Sequence, residues 1–246
     1  MPQQVANDFE AFGGRTVVIT GGASGIGLAT ARMVVDRGGS VILMGRSPER
    51  LKAAREALGS AASTNQLDVT DEDAVRTAFA DIDRVDHLVT AAAGTLRGRL
   101  VDLDTRHARQ LFEVKYWGQH HSIKYAAPRM APHGSVVLFS GWISRKPAAE
   151  MSTLAAIDGA IEALARTLAL ELAPVRVNAI TPGQIDTPLW RSRLSETEAR
   201  AHCDRVAHAH PVGRVGTGDD VAQAILFLMM NGFMTGAVLD IDGGWR

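Results

Sequence analysis

Residues 16–27 read TVVITGGASGIG, and this stretch decides the fold. Its first five residues form an apolar, β-branched run that is typical of a buried strand. Glycines at 21, 22, 25 and 27 follow, where the chain must turn tightly and start a helix. A glycine-rich turn between a strand and a helix directs free backbone N–H groups at an anion. The stretch therefore predicts a phosphate-binding loop, and a plain tight turn is the alternative interpretation.

The rest of the chain alternates apolar strands with segments of helical periodicity. The predicted strands are 16–20, 40–44, 86–90, 135–140, 175–180 and 237–241. The predicted helices are 25–37, 48–58, 104–130, 152–173 and 219–230. Nearly all-apolar strands between helices predict a parallel sheet that is covered on both faces. We therefore expect one doubly wound α/β domain over residues 1–246, with residues 1–13 as an N-terminal arm.

Composition excludes several classes of function. The 246 residues are 46% hydrophobic and carry a net charge of −1, without the basic run that a nucleic-acid-binding face requires. No His/Cys cluster indicates a metal. The longest apolar stretch, residues 221–234, is too short to span a membrane. The single Cys203 and an N-terminus without an apolar core fit a cytoplasmic protein. The expected partner is a small-molecule substrate.

In doubly wound folds, ligands bind beyond the carboxyl ends of the strands. We expect the loops after the predicted strands to line the site. Residues 187–211 are polar and look irregular, and we interpret them as a lid over the substrate. Apolar side chains in these loops favour an apolar pocket, and the candidates are Trp142, Met151, Leu154 and Trp190.

Several further motifs accompany the glycine-rich turn in a fixed order. They are LDVT at 67–70, AAAG at 91–94, NAITPG at 178–183 with IDTP at 185–188, PVGR at 211–214, DDVA at 219–222 and DGG at 242–244. From about residue 14 to its end, the chain resembles the short-chain dehydrogenase/reductase family. The resemblance implies a Rossmann-type domain, an NAD(P)-dependent oxidoreductase acting on a small carbonyl or alcohol, and a homodimer or homotetramer joined through helices 104–130 and 152–173.

The resemblance also implies a cofactor site. Its expected residues are Gly21, Ser24, Gly25, Ile26, Gly27, Arg46, Ser47, Asp68, Val69, Ala93, Gly94, Pro182, Gly183, Ile185 and Thr187. NAD-specific members carry an acid at the end of the second strand, where this chain has Arg46. A guanidinium there can bind a 2′-phosphate, so NADP is favoured and NAD is possible. Alternatively, Arg46 is an exposed charge that precedes a helix. Asp68 is expected to accept from the adenine amino group or to cap a turn.

The residues that the family uses for catalysis are all substituted. Aligning the chain on residues 160–164 places Lys115 at the family's asparagine, Gly141 at its serine, Leu154 at its tyrosine and Asp158 at its lysine. No shift in alignment restores the set, because no tyrosine follows Tyr125 and no lysine follows Lys146.

Two of these substitutions are complementary in charge. Since their positions face each other in the family fold, we expect Lys115 and Asp158 to pair, with Gly141 and Leu154 lining a space left by the absent serine and tyrosine. The pair is either a structural ion pair in a defunct site or a new source of a cation or proton. Ser140 either donates to a substrate carbonyl or ends its strand. Lys115, Ser140 and Asp158 are therefore the catalytic candidates.

Three functions are compatible with this pattern. The first is an NADP-dependent oxidoreductase with an atypical active site. The second is a catalytically inactive NADP-binding sensor or scaffold subunit. The third is a non-redox lyase or isomerase on the same fold, because fold alone does not choose between chemistries.

Overall fold

A computed structural model describes residues 11–191 and 195–245, with only the backbone for residues 189 and 190. Residues 1–10 of the predicted arm and the side chain of Trp190 lie outside this description. The strands are β1 (Thr16–Thr20), β2 (Ser40–Gly45), β3 (Ala62–Gln66), β4 (Val85–Thr90), β5 (Met130–Phe139), β6 (Arg176–Pro182), β7 (Ile185–Asp186), β8 (Gly216–Thr217) and β9 (Val238–Ile241). The helices are α1 (Gly25–Val35), α2 (Pro48–Leu58), α3 (Glu72–Ala80), α4 (Thr105–Phe112), α5 (Gly118–Ala126), α6 (Ser152–Glu171), α7 (Pro188–Arg191), α8 (Glu196–Ala209) and α9 (Gly218–Met230).

Seven of the strands form a parallel sheet in the order β3-β2-β1-β4-β5-β6-β9. The predicted doubly wound fold is confirmed. The strand order reverses between β1 and β4, and in such sheets the crevice at the reversal takes the ligand. β7 and β8 form a separate short parallel pair.

The sheet is buried on both faces because alternate side chains of each strand point to opposite sides. On one face Val18, Leu88 and Val136 pack with residues of α3 to α6. On the other face Val17 and Ile19 pack with residues of α1, α2 and α9. Two apolar cores therefore hold the carboxyl ends of β1, β4 and β5 in fixed positions.

The structure corrects the predicted elements in three places, of which residues 187–211 are the third. No strand or helix is predicted between residues 58 and 86, where the structure has β3 and α3. β3 reads ASTNQ and lies at the sheet edge, so it lacks the apolar run of the other strands. The predicted helix 104–130 ends at Ala126, because Pro128 cannot continue it, and β5 begins at Met130.

The predicted lid, residues 187–211, is not irregular: its described part consists largely of α7 and α8. Helix α8 begins with a capping box, in which the Ser195 hydroxyl accepts from the Glu198 amide and the Glu198 carboxylate accepts from the Ser195 amide. Only Ala199 and Val206 of α8 are buried. So few apolar positions explain why periodicity did not indicate the helix. Its role as a lid stays a prediction.

Two polar side chains of β6 hold the segment that leads into β9. The Arg176 guanidinium donates to the carbonyl oxygens of Leu228 and Met229, which are the last turn of α9. The Asn178 amide donates to the Met234 carbonyl oxygen and accepts from the Ala237 amide. Because both side chains are buried, these bonds satisfy backbone groups that water does not reach.

A buried histidine lies in β4. His87 Nδ1 is 2.9 Å from the Ser135 hydroxyl oxygen, and Nε2 is 3.5 Å from a guanidinium nitrogen of Arg15. Since a guanidinium only donates, Nε2 accepts and the ring is neutral. Burial, helped by the charges of Arg15 and Arg176, lowers the pKa of His87 to about 3.

Because the pKa of His87 is lowered, we expect the folded protein to lose stability in mild acid. The pKa is lower in the folded state than the ordinary ~6.5, so the stabilisation is complete above that value and falls as the pH falls towards the folded pKa. Between about pH 7 and about pH 4.5, the unfolding free energy of the natural protein should decrease. In His87→Gln this decrease should be smaller by roughly 1–3 kcal/mol, because the variant has no histidine to protonate. Urea unfolding at several pH values measures it. Exposed His133 provides the control, since His133→Gln should leave the decrease unchanged.

Candidate active site

A cleft opens where the strand order reverses. It encloses about 340 Å³, a volume in the range of small-molecule sites. Eleven of the predicted cofactor residues line it: Gly21, Ser24, Gly25, Ile26, Gly27, Arg46, Ser47, Asp68, Val69, Ala93 and Thr187. Gly94, Pro182, Gly183 and Ile185 do not line it. Leu67, Ala91, Ala92, Val114, Phe139 and Pro188 also line it, although the sequence analysis did not select them.

The glycine-rich loop forms a cradle at one side of the cleft. Gly21 has a φ of +72°, and a Cβ there would lie 2.6 Å from the Ala91 carbonyl oxygen. A side chain at Gly27 would collide with the Gly21 carbonyl group. Ser24, the N-cap of α1, makes no side-chain capping bond, so the first-turn amides of α1 are available to an anion. The cradle fits the pyrophosphate of a dinucleotide.

The far end of the cleft is basic. Arg46 and Arg50 both line it and are exposed, and within the described part of the chain neither guanidinium has a carboxylate partner. Ser47 caps α2 by accepting from the Arg50 amide at 3.2 Å. Asp68 accepts from the amide and the hydroxyl of Thr70 at 3.0 and 2.9 Å. Asp68 therefore caps its turn, as one of the two predicted roles requires.

The predicted pairing of Lys115 with Asp158 is confirmed. Lys115 Nζ contacts Asp158 Oδ1 and donates to the Ser140 carbonyl oxygen at 3.2 Å. The exposed fractions of the Lys115 and Asp158 side chains are 7% and 0%. Burial lowers the pKa of Lys115 and raises the pKa of Asp158, while the charge of each partner opposes the change. Neither residue lines the cleft, although their sequence neighbours Val114 and Phe139 reach it.

A π-turn over Glu113–Trp117 carries Lys115 between α4 and α5. π-turns within helices often mark functional positions. The Gln119 side chain holds this turn: its amide nitrogen donates to the carbonyl oxygens of Lys115 and Phe139 at 2.7 and 2.9 Å. Its oxygen accepts from the Thr90 hydroxyl and the Phe139 amide. Gln119 therefore ties Lys115 to the ends of β4 and β5.

Ser140 is turned towards α6. Its hydroxyl donates to the Asp158 carbonyl oxygen at 3.1 Å and lies 3.3 Å from Glu162 Oε1. Glu162 also accepts from Ser144 and lies 3.5 Å from a guanidinium nitrogen of Arg145. The Ser140 hydroxyl is thus hydrogen-bonded to residues of α6. To bind a substrate, it would have to exchange these partners for the substrate.

The space expected beside Gly141 is occupied. A Cβ on Gly141 would lie 2.6 Å from Asp158 Oδ2, so the carboxylate fills the position that a serine side chain would need. Leu154 is buried in the core cluster that also contains Ile157 and Ile161. The expected vacancy is therefore wrong at Gly141, and the changes at positions 115, 141 and 158 depend on one another.

The doubly wound sheet, the glycine cradle at its switch point and the basic far end define a dinucleotide-binding α/β protein. Comparison with known proteins agrees with this class. The family described as "Enoyl-(Acyl carrier protein) reductase" matches residues 21–246. The cis-4-hydroxycyclohexanecarboxylate dehydrogenase of Sinomonas cyclohexanicum is 33% identical over 249 residues, which cover 96% of this chain and 98% of that protein.

Two solved structures extend the similarity. A small-chain dehydrogenase in complex with NADPH is 34% identical, with a TM-score of 0.78 over 94% of this chain and 97% of that one. The MalC reductase/Diels-Alderase from Malbranchea aurantiaca is 27% identical, with a TM-score of 0.89 over 97% of this chain and 99% of that one. The chain belongs to the short-chain dehydrogenase/reductase family and is by family an oxidoreductase. No helix in the described residues is long and apolar enough to cross a membrane.

Sequence reasoning missed Arg50, Phe139 and Gln119. The signal for Arg50 was present, because it lies one helical turn after Arg46 and Ser47 caps its helix. Phe139 is the last residue of β5, whose end was placed one residue too late. Gln119 carried a weaker signal, a polar residue on a buried helix face four positions after Lys115.

Proposed function

We propose that the chain is an NADP-dependent oxidoreductase of small molecules. The observation that carries the proposal is the cleft, which combines a glycine cradle for a pyrophosphate with two arginines that have no carboxylate partner in the described structure. When bound, the cofactor supplies hydride chemistry. The protein's part is to bind and orient it, since the cradle takes the pyrophosphate and Arg46 and Arg50 take the 2′-phosphate. The NADPH complex of a 34%-identical relative supports this choice.

Binding of 2′,5′-ADP and 5′-AMP tests the arginine assignment without turnover. We expect Arg46→Ala and Arg50→Ala each to weaken binding of 2′,5′-ADP by about 10- to 100-fold, the equivalent of one lost charge-assisted contact. Binding of 5′-AMP, which lacks the 2′-phosphate, should change little. Calorimetry measures both ligands.

Arg55 provides a matched control, because it lies on the same helix and does not line the cleft. Arg55→Ala should leave both affinities unchanged. Equal affinity of the natural protein for the two ligands would refute selection of NADP. Absence of binding by NADPH and NADH at about millimolar concentration, well above ordinary dinucleotide affinities, would refute the proposed function.

In the carbonyl or alcohol reaction expected from the sequence, the catalytic residues of the proposal are Lys115 and Asp158, with Ser140 as a third candidate. Lys115 donates two of its three N–H groups to Asp158 and to the Ser140 carbonyl oxygen. One N–H group is left to donate to a substrate. Its lowered pKa, caused by burial, makes it a better proton donor than an ordinary lysine. Asp158 supplies the counter-charge.

A second function is a non-redox reaction such as a lyase or isomerase reaction. It is favoured by the burial of Lys115 and Asp158 away from the cleft, and by the name of the Malbranchea relative, which includes Diels-Alderase. NADPH consumption during turnover separates the two functions.

Assembly into a homodimer or homotetramer is also part of the proposal. Two large apolar side chains on the helices expected to join the copies are exposed, Trp117 in the π-turn and Leu170 in α6. Such exposure fits a surface that another copy covers. The cytoplasmic location stays a prediction from the sequence.

A further inference from the structure

The polarity of the reaction site is inverted relative to the set implied by the family resemblance. That set has four members, and three of them, a serine hydroxyl, a tyrosine hydroxyl and a lysine ammonium, donate hydrogen bonds. The fourth, an asparagine, is Lys115 in this chain. Here the positions of the three donors hold Gly141, Leu154 and Asp158, of which the first two offer no side-chain polar atom and the third offers a carboxylate. At these three positions donors have therefore been replaced by apolar surface and one acceptor, while the ammonium group lies on the opposite side of the site, at Lys115.

Within the described residues, the carboxylate keeps one oxygen without a hydrogen-bond partner, buried next to Gly141. Asp158 Oδ1 contacts Lys115, whereas buried Oδ2 has no hydrogen-bond partner in the described structure. Oδ2 is also the atom nearest to the direction in which a Gly141 side chain would project, at 2.6 Å from the position of a Cβ. The ion pair is thus a dipole whose negative end lies beside Gly141. In a buried environment such a field acts over several ångströms.

Two kinds of hydride acceptor differ in what they need from this site. A ketone becomes an alkoxide, so its reduction needs donors for the developing negative charge and then a proton. An iminium ion loses its positive charge on reduction and needs neither. A negative dipole end hinders the first reaction and stabilises the cation that enters the second.

We propose that the substrate of this site is a cationic carbon–nitrogen double bond, an iminium ion, rather than a ketone or an aldehyde. This inference rests on the NADP-dependent reduction proposed above. A C–H bond of the reduced nicotinamide ring would break, and the hydrogen with its electron pair would form a C–H bond at the iminium carbon. The π pair of the C=N bond becomes the lone pair of the amine nitrogen, and the positive charge ends on the oxidised nicotinamide. Charge is conserved and no proton is taken up.

An aromatic pair follows Gly141 along the chain, because Trp142 packs edge-on against Trp245, with ring centroids 4.5 Å apart. Lys146 Nζ already lies 5.6 Å from the centroid of the Trp245 ring, so the Trp142 ring is the one left for a substrate cation. Aromatic faces attract cations that have left water. The charge of Lys115 is directed at Asp158 Oδ1 and the Ser140 carbonyl oxygen, so it is compensated where it lies.

The first test compares two molecules with the same bicyclic skeleton. N-Methyl-3,4-dihydroisoquinolinium is a permanent iminium ion, and 1-tetralone is the matching ketone. We expect saturable NADPH oxidation with the iminium ion, after subtraction of the reaction in buffer, at a kcat/KM at least about tenfold above that with the ketone. Its rate should not depend on pH between about pH 6 and about pH 8, because the reduction of an iminium ion takes up no proton.

The second test is binding without turnover. N,N-Dimethyl-1,2,3,4-tetrahydroisoquinolinium keeps the cation but accepts no hydride. By calorimetry, with and without NADP, it should bind at least about tenfold more tightly than 1-tetralone. Asp158→Asn should remove most of that preference and lower kcat/KM for the iminium ion about tenfold, while the affinity for NADPH stays unchanged. Glu171→Gln, which removes an exposed carboxylate at the far end of the same helix, is the control.

The outcomes separate the two proposals. If Asp158→Asn does not fold, the variant Lys115→Met/Asp158→Leu removes the dipole without leaving a lone charge, and the same loss of preference is expected. If neither variant folds, the binding comparison on the natural protein decides. Absence of NADPH binding refutes the proposed function. NADPH binding without a preference for the cation, or with faster reduction of 1-tetralone, overturns the iminium inference and leaves the proposed function standing.

Discussion

Lys115→Met is expected to lower the free energy of unfolding by about 3–5 kcal/mol, because it leaves the Asp158 carboxylate buried without its counter-charge. Lys115→Met combined with Asp158→Leu should recover most of this loss, since two apolar residues replace the ion pair and no charge stays unpaired. Urea unfolding followed by circular dichroism measures both variants.

The exposed pair of Lys52 and Glu56 provides the matched control. Its two side chains are 79% and 67% exposed and lie 4.0 Å apart, so Lys52→Met should change stability little. If the double variant were as unstable as Lys115→Met alone, the cost would come from packing around the lysine stem rather than from the orphaned charge.

Restoring the complete family set should produce the largest change in activity. The variant Lys115→Asn/Gly141→Ser/Leu154→Tyr/Asp158→Lys should reduce 1-tetralone with NADPH about 10²- to 10⁴-fold faster than the natural protein, which is the usual contribution of a general acid. The reason is that a hydroxyl beside a cation regains a useful pKa, and the serine regains a donor for the carbonyl oxygen. Steady-state NADPH oxidation measures the change.

The contact between Gly141 and Asp158 requires that their substitutions be made together. Gly141→Ser alone places a Cβ 2.6 Å from Asp158 Oδ2 and should cost about 1–3 kcal/mol of stability. It should be tolerated only together with the exchange of Asp158. The control carries Leu154→Phe in place of Leu154→Tyr and differs by one hydroxyl. If a folded quadruple variant shows no gain over that control, the rest of the site is not arranged for ketone reduction.

Much of the fold followed from local pattern. Residues 16–27 form a strand, a turn and a helix as predicted, because β-branched residues, glycines and helix formers each act over a few residues. Apolar periodicity likewise placed most of the strands and helices. It did not indicate β3, whose residues are polar at the sheet edge, or α8, whose buried face has only Ala199 and Val206.

Around the catalytic candidates, the part of the site that could be predicted from the sequence is the ion pair. Opposite charges at two facing positions predicted the bond between Lys115 and Asp158. The position of Asp158 Oδ2 beside Gly141 depends on a side-chain rotamer. The π-turn depends on the Gly118 amide, which donates to the Glu113 carbonyl oxygen five residues earlier. Neither the rotamer nor the π-turn produces a recognisable pattern of residue types in the sequence. The same holds for Gln119, whose partners are far apart along the chain.

The bonds that Arg176 and Asn178 make have a consequence for synthesis on the ribosome. Strand β6 emerges well before its neighbour β9, and until then its outer edge and these two side chains lack their partners Met234 and Ala237. An open strand edge with unmet polar groups attracts other chains. The nascent protein therefore passes through a stage in which nearly all of its core residues have been made, yet its sheet is still open. Translational pausing within residues 218–237 should prolong that stage and favour aggregation.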